Sequence, residues 1–172
     1  MDDVRLAQNF MLSELCRTEV RRYLDQNRQE AERPPVLDAL RALATTLLQP
    51  LRNHHGAPVV VHSGYRCPDL NAAVGGSTKS QHRKGEAADF HVVGVALEDV
   101  WERIWRNSPL VFGQLILEGH QAGKPTWIHM SLGPPWRPAE RSGEVFTFSD
   151  GAGYGRVGKV DLVQDGSLWR RA

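Results

Sequence analysis

Ser80-Gln81-His82-Arg83-Lys84-Gly85-Glu86-Ala87-Ala88-Asp89 is the stretch on which the fold turns. A histidine and an aspartate at positions 82 and 89 cannot share one helix face neatly, but a loop running into a strand brings both to one point. Gly85 permits a tight turn between them, and Ala87 and Ala88 permit close packing. Further on, Trp127-Ile128-His129-Met130-Ser131 sets a third imidazole inside an apolar strand. An imidazole buried there costs free energy unless it has a partner. Two histidine nitrogens and one aspartate oxygen suit Zn²⁺ and leave a fourth position open. On spacing alone His91 competes for the set, because it follows Asp89 by two residues and shares its strand face. His54, His55, His62 and His120 read as surface or loop residues.

Outward from this stretch, the chain changes grammar at Gly56. Upstream, Val36, Leu40, Leu43, Leu47 and Leu51 recur at three- and four-residue steps, the mark of an amphipathic helix, with a kink or stop expected at Pro50. Ser13 is a candidate cap for an earlier helix reaching about Gln26, with Leu15, Val20 and Leu24 inward. The charged Asn27–Pro35 segment, ending in Pro-Pro, reads as a loop. Downstream, Pro58–Ser63, Ala87–Val93, Phe112–Leu117 and Thr126–Leu132 read as strands, with a turn-rich Gly64–Ser80 between the first two. Leu97–Asn107 reads as a helix with Val100, Trp101, Ile104 and Trp105 inward. Glu144–Ser149 and Val157–Val163 are expected edge strands in a glycine-rich tail (138–172). The pattern predicts an α+β fold in a single domain over residues 1–172, N-terminal helices packed on a small antiparallel sheet.

Composition narrows the function. A chain of 172 residues with 41% hydrophobic and 24% charged residues is that of a globular domain large enough to fold without staples. Twenty-one basic residues against twenty acidic ones give a net charge of +1, with no run of like charge, which argues against a nucleic-acid binder. The longest uncharged stretch, Asn53 to Tyr65, is well short of the ~18–20 residues of a membrane-spanning helix. The chain opens Met-Asp-Asp without a basic-then-apolar segment, so no signal peptide is expected. Cys16 and Cys67 form no metal-type spacing and read as ordinary thiols.

Ser63-Gly64-Tyr65-Arg66, Ser80-x-His82-x-x-Gly85-x-Ala87-x-Asp89 and Trp127-x-His129-x-Ser131 together resemble the zinc D-alanyl-D-alanine carboxypeptidases, a family that shares its fold with the hedgehog signalling domain. Asn9–Glu14 and Leu48–Arg52 are similar to the version found in phage and prophage proteins. The likeness runs from about Asn9 to Ser131. It implies one zinc per chain held by His82, Asp89 and His129, with His91 left to a supporting role, and peptidoglycan peptides as substrate.

Peptide hydrolysis also needs a general base. Some relatives place an acid three residues before the last histidine, where this chain has Thr126, which cannot serve. The phage-like branch carries the acid on the preceding strand, so Glu118 is the candidate, set opposite the strand bearing His129 by a hairpin turning through Gly119 to Pro125. By resemblance, Arg66 meets the substrate carboxylate or polarises the scissile carbonyl, and Ser80 hydrogen-bonds the substrate backbone. Tyr65 and Trp127 are candidate substrate-binding residues, Tyr65 with Asn71 and Gly75-Gly76 through the loop shaping the cleft. The expected protein is a monomeric zinc peptidase without nucleic-acid or membrane partners. It is made in the cytoplasm and meets the cell wall after lysis or from a virion. The rival expectation is a zinc-stabilised structural or binding domain that has lost catalysis, for example in a phage tail. Glu118 separates the two, because a binding module has no need of a base.

Overall fold

The computed structural model describes residues 3–118, 124–149, 153–165 and 167–172. It opens with two short antiparallel strands, β1 (Arg5–Ala7) and β2 (Phe10–Met11), and a single helical turn, α1 (Leu12–Leu15). Helices α2 (Leu24–Ala31), α3 (Pro34–Leu43) and α4 (Gln49–His55) follow, the last two joined through a π-helical stretch over Ala44–Leu48. The remaining elements are β3 (Val59–Ser63), α5 (Pro68–Ala73), β4 (Ala87–Val92), α6 (Leu97–Asn107), β5 (Phe112–Glu118) and β6 (Trp127–Leu132). Four strands end the chain: β7 (Glu144–Ser149), β8 (Gly153–Lys159), β9 (Leu162–Asp165) and β10 (Leu168–Arg171).

Three expectations about the first half are corrected. Ser13 caps no helix: its side chain bonds Asp3, while the Met11 N–H donates to Glu14, and the helix ends at Leu15. The supposed loop over Asn27–Pro35 is largely helical, because Pro34 and Pro35 occupy the first helical positions, where a missing N–H costs nothing. The helix is not stopped by Pro50. The wider π turn lies immediately before it and accommodates the proline without an amide donor.

The main sheet runs β3-β4-β6-β5-β7-β8 and is mixed, since β5 and β7 pair in parallel while all other neighbours are antiparallel. The antiparallel expectation fails at that one pairing. β7 accordingly lies inside the sheet and not at its edge. The expected strand over Val157–Val163 is divided between β8 and β9. The alternating pleat then sorts the side chains. Phe90, Ile128, Met130 and Leu115 join Leu40, Leu43 and Leu47 of the α3 region and Val100 and Ile104 of α6 in one core cluster. Fully burying each such side chain is worth about 1.5–3 kcal/mol. Asp89, His129, Ile116 and Phe146, in register across β4, β6, β5 and β7, occupy the opposite face of the sheet. No helix among the described residues is long and apolar enough to cross a membrane.

Candidate metal centre

His82 lies on a short 3₁₀ turn, Gln81–Lys84, ended by Gly85 in the left-handed region (φ +73°). A Cβ at that glycine would meet Val36 O and Leu40 Cγ at 3.0 Å, so backbone freedom and packing both ask for glycine there. The chain turns from His82 into β4, where Asp89 stands opposite His129 of β6. His82, Asp89 and His129 are all buried, and one donor atom from each lies within 4.8 Å of the others.

The protons of this group can be assigned from its neighbours. Nδ1 of His82 lies 2.7 Å from the Gly64 carbonyl, which only accepts, so this nitrogen carries the proton. Nε2 of His129 faces Gln81 Oε1 at 3.2 Å and donates to it. In the neutral rings the other two nitrogens are then bare. They lie 3.2 Å apart, and Asp89 Oδ1 is 3.2 Å from His82 Nε2 and 2.8 Å from His129 Nδ1. Three lone-pair donors converging on one buried point repel each other unless a cation sits among them. This is the donor set and the outer support of a zinc site, and the residues present fit that ion. Burial opposes the Asp89 charge. Where a proton takes the cation's place, the imidazole charge and the hydrogen bonds donated to Asp89 outweigh burial and hold the carboxyl well below the usual carboxylate range.

Glu118 ends β5 opposite Trp127 of β6. Trp127 Nε1–H donates to Glu118 Oε1 at 3.0 Å and Tyr154 O–H to Oε2 at 3.1 Å, so the carboxylate is clamped from both sides. Burial, then the charge of Glu118 and the hydrogen bond to it, push the Tyr154 phenol up to about 12, which keeps it a donor at neutral pH. The expected turn between Glu118 and Trp127 lies largely outside the described residues, at positions 119–123.

A cleft of about 610 Å³ joins these groups, with His82, His129, Glu118, Arg66 and Ser80 in its lining. Arg66 Nη2 lies 4.0 Å from Asp89 Oδ2, and its buried Nε has no hydrogen-bond partner among the described residues. Burial lowers the Arg66 pKa, with Asp89 and Glu118 opposing, and a guanidinium stays charged there. Ser80 precedes the 3₁₀ turn without capping it, which leaves its hydroxyl to the cleft.

Two candidate residues are placed differently. Tyr65 is buried, outside the cleft lining, with its hydroxyl on Glu30 Oε2 at 3.2 Å. Trp127 touches Glu118 and is likewise absent from the lining. His91 stays apart from the group, its Nδ1 2.7 Å from His62 Nε2. Asn71 ties the Gly76 and Ser77 carbonyls at 2.9 Å from within α5, so the stretch read as turns over Gly64–Ser80 is partly helical.

Sequence reasoning passed over Gln81, Tyr154 and Arg137. Gln81 sits inside the quoted stretch beside His82, and that adjacency was the available signal. Its amide bridges His129 and the Ser131 hydroxyl, the latter at 2.9 Å. Tyr154 belongs to the tail and Arg137 immediately precedes it, and the tail also brings Arg141 and Phe146 to the cleft.

Fold and cleft define a mixed α+β protein with a three-residue metal group beside a held carboxylate, the equipment of a metal-dependent hydrolase. The model of the Peptidase M15 family matches residues 8–131, and the chain belongs to that family of zinc peptidases. A search of the curated proteins finds no match to the chain.

Proposed function

We propose that the protein is a zinc-dependent peptidase hydrolysing peptide bonds in bacterial peptidoglycan stem peptides, as a carboxypeptidase or endopeptidase. The observation that carries this reading is the convergence of three bare donor atoms at His82, Asp89 and His129 in the cleft that also holds Glu118. Zinc, when bound there, supplies a Lewis acid for the scissile carbonyl and lowers the pKa of water. Glu118 takes a proton from the attacking water. The water oxygen adds to the carbonyl carbon, and the same proton passes to the leaving amine as the C–N bond breaks. Arg66 meets the negative charge that develops on the carbonyl oxygen, and Ser80 bonds the substrate backbone. Gln81 and the Gly64 carbonyl hold the two imidazoles in the required tautomers. The phage-like wording of Asn9–Glu14 and Leu48–Arg52 supports a route to the wall by lysis or from a virion.

Elemental mass spectrometry on protein purified without added metal, followed by a muropeptide digest, tests the reading. About one zinc per chain, lost in His129→Ala, is expected. Glu118→Ala retains zinc and fold while hydrolysis falls at least ~10²-fold. Hydrolysis within a few-fold of wild type in that variant places the base elsewhere. A zinc-loaded wild type that cleaves no muropeptide returns the molecule to the structural or binding reading.

A further inference from the structure

Among the described residues, four cations line the cleft, Arg66, Lys79, Arg137 and Arg141, against the single carboxylate of Glu118. The chain as a whole has a net charge of only +1. A cleft of one sign concentrates its field on whatever enters it, so this one favours an anionic ligand. The cations are not spread evenly. Arg66 stands beside Asp89, level with the metal group. Arg137 stands toward the Gln114–Glu144 pair, two residues along the strands from the Ile116–Phe146 pair at the metal level. At ~3.3 Å per residue that is roughly 6–7 Å, the reach of one or two residues of extended peptide.

Arg137 is built into this position. Its Cδ lies 2.9 Å from where a Cβ on Gly113 would stand, so the absent side chain lets the arginine stem lie on β5. Nε donates to the Arg141 carbonyl and Nη2 to Glu144 Oε2 at 2.9 Å. Nη1 makes no protein hydrogen bond among the described residues. Glu86 is the other carboxylate near it; burial raises the Glu86 pKa, with Lys84 and Arg137 opposing. Lys79 and Arg141 are exposed and have no carboxylate partner among the described residues.

We infer that the Arg137–Arg141 end of the cleft is an anion subsite, with Lys79 of the same lining as its third cation. It takes a carboxylate of the substrate peptide one or two residues from the scissile bond, on the side away from Glu118. This rests on the peptidase reading and extends it to substrate choice. Two of the three residues, Arg137 and Arg141, lie beyond the span 8–131 that the family model matches. Either an α-carboxylate or a side-chain carboxylate supplies the chemistry.

Three peptides of one backbone distinguish them: a free C-terminus with neutral side chains, an amidated C-terminus with one acidic side chain, and an amidated neutral peptide. A charge-assisted contact predicts that the neutral peptide loses about tenfold or more in kcat/KM, mainly through KM. Whichever charged peptide is preferred identifies the source. Arg141→Gln and Lys79→Gln each shrink the preference, while zinc content and melting temperature stay at the wild-type values. Equal turnover of all three peptides overturns the subsite. Should zinc-loaded wild type cleave none, the peptidase reading fails by itself. Calorimetric binding of the same peptides then decides the subsite: tighter binding of a charged peptide supports it, and equal or absent binding overturns it.

Discussion

Glu118 owes its place to two side chains that come from very different distances in the chain. Trp127 reaches it across a neighbouring strand, and Tyr154 from the tail. Removing one neutral donor from a half-buried carboxylate leaves the other in place, so Tyr154→Phe is expected to lower kcat by about tenfold at most, with zinc content unchanged. Steady-state kinetics beside elemental analysis checks it, and a loss as deep as that of Glu118→Ala would mean that Tyr154 touches the substrate itself. This contrast also explains what was legible at the residue scale. His82, Asp89 and His129 could be found because a turn and one strand pairing bring them together. Tyr154 could not, because its role depends on β7 docking on β5 and β8 then folding back, a register written in no local pattern. Gln81 went unremarked for a different reason: an amide that fixes an imidazole leaves no spacing signature.

At the scale of elements, the N-terminal segment is tied to the cleft loop by one buried amide. Asn27 Nδ2 donates to the Cys16 carbonyl at 2.8 Å and the Tyr65 carbonyl at 3.0 Å, and the Cys67 N–H donates to its Oδ1 at 2.7 Å. Asn27→Ala strands a buried donor and two acceptors, and a loss of about 3 kcal/mol in chemical denaturation is expected. Asp3 makes a second tie, holding Ser13 and Arg28 Nη2, the latter at 3.0 Å. Burial works against its charge, yet the Ser13 bonds and the Arg28 charge prevail and lower its pKa. A carboxyl whose folded value is depressed stabilises fully above its unfolded value of about 3.9 and ceases to as the pH falls through the folded one. Asp3→Asn should therefore be less stable than wild type at pH 7, with the gap narrowing as the pH is lowered below about 3.9, by urea denaturation across that range. These ties also show why the first helix was misjudged: Ser13 has cap chemistry, but Asp3, ten residues earlier, takes its hydroxyl. Pro34-Pro35 was misjudged because a helix start and a loop share the same residues. The helix Leu97–Asn107, by contrast, emerged as its periodicity dictates.

For the whole molecule, the metal group and the core are coupled. A ligand that binds only the folded chain stabilises it by mass action, about 4 kcal/mol at a thousandfold excess over Kd. Chelation of zinc is accordingly expected to lower the melting temperature by roughly 10 °C, read by calorimetry. An unchanged transition would mean that the three donors hold no ion. Cys16 and Cys67 offer an independent monitor, since both are free and buried, and burial pushes the Cys16 thiol up to about 12. The parallel seam between β5 and β7 bears on how such a molecule breathes. Beyond this seam β7 and β8 form the margin of the sheet, and β8 is mostly exposed where β4 and β6 are buried. Amide deuteration should therefore enter β7 and β8 before β4 and β6. The protein would then open by peeling away the wall that bears Tyr154, leaving the His82–Asp89–His129 nest closed behind it.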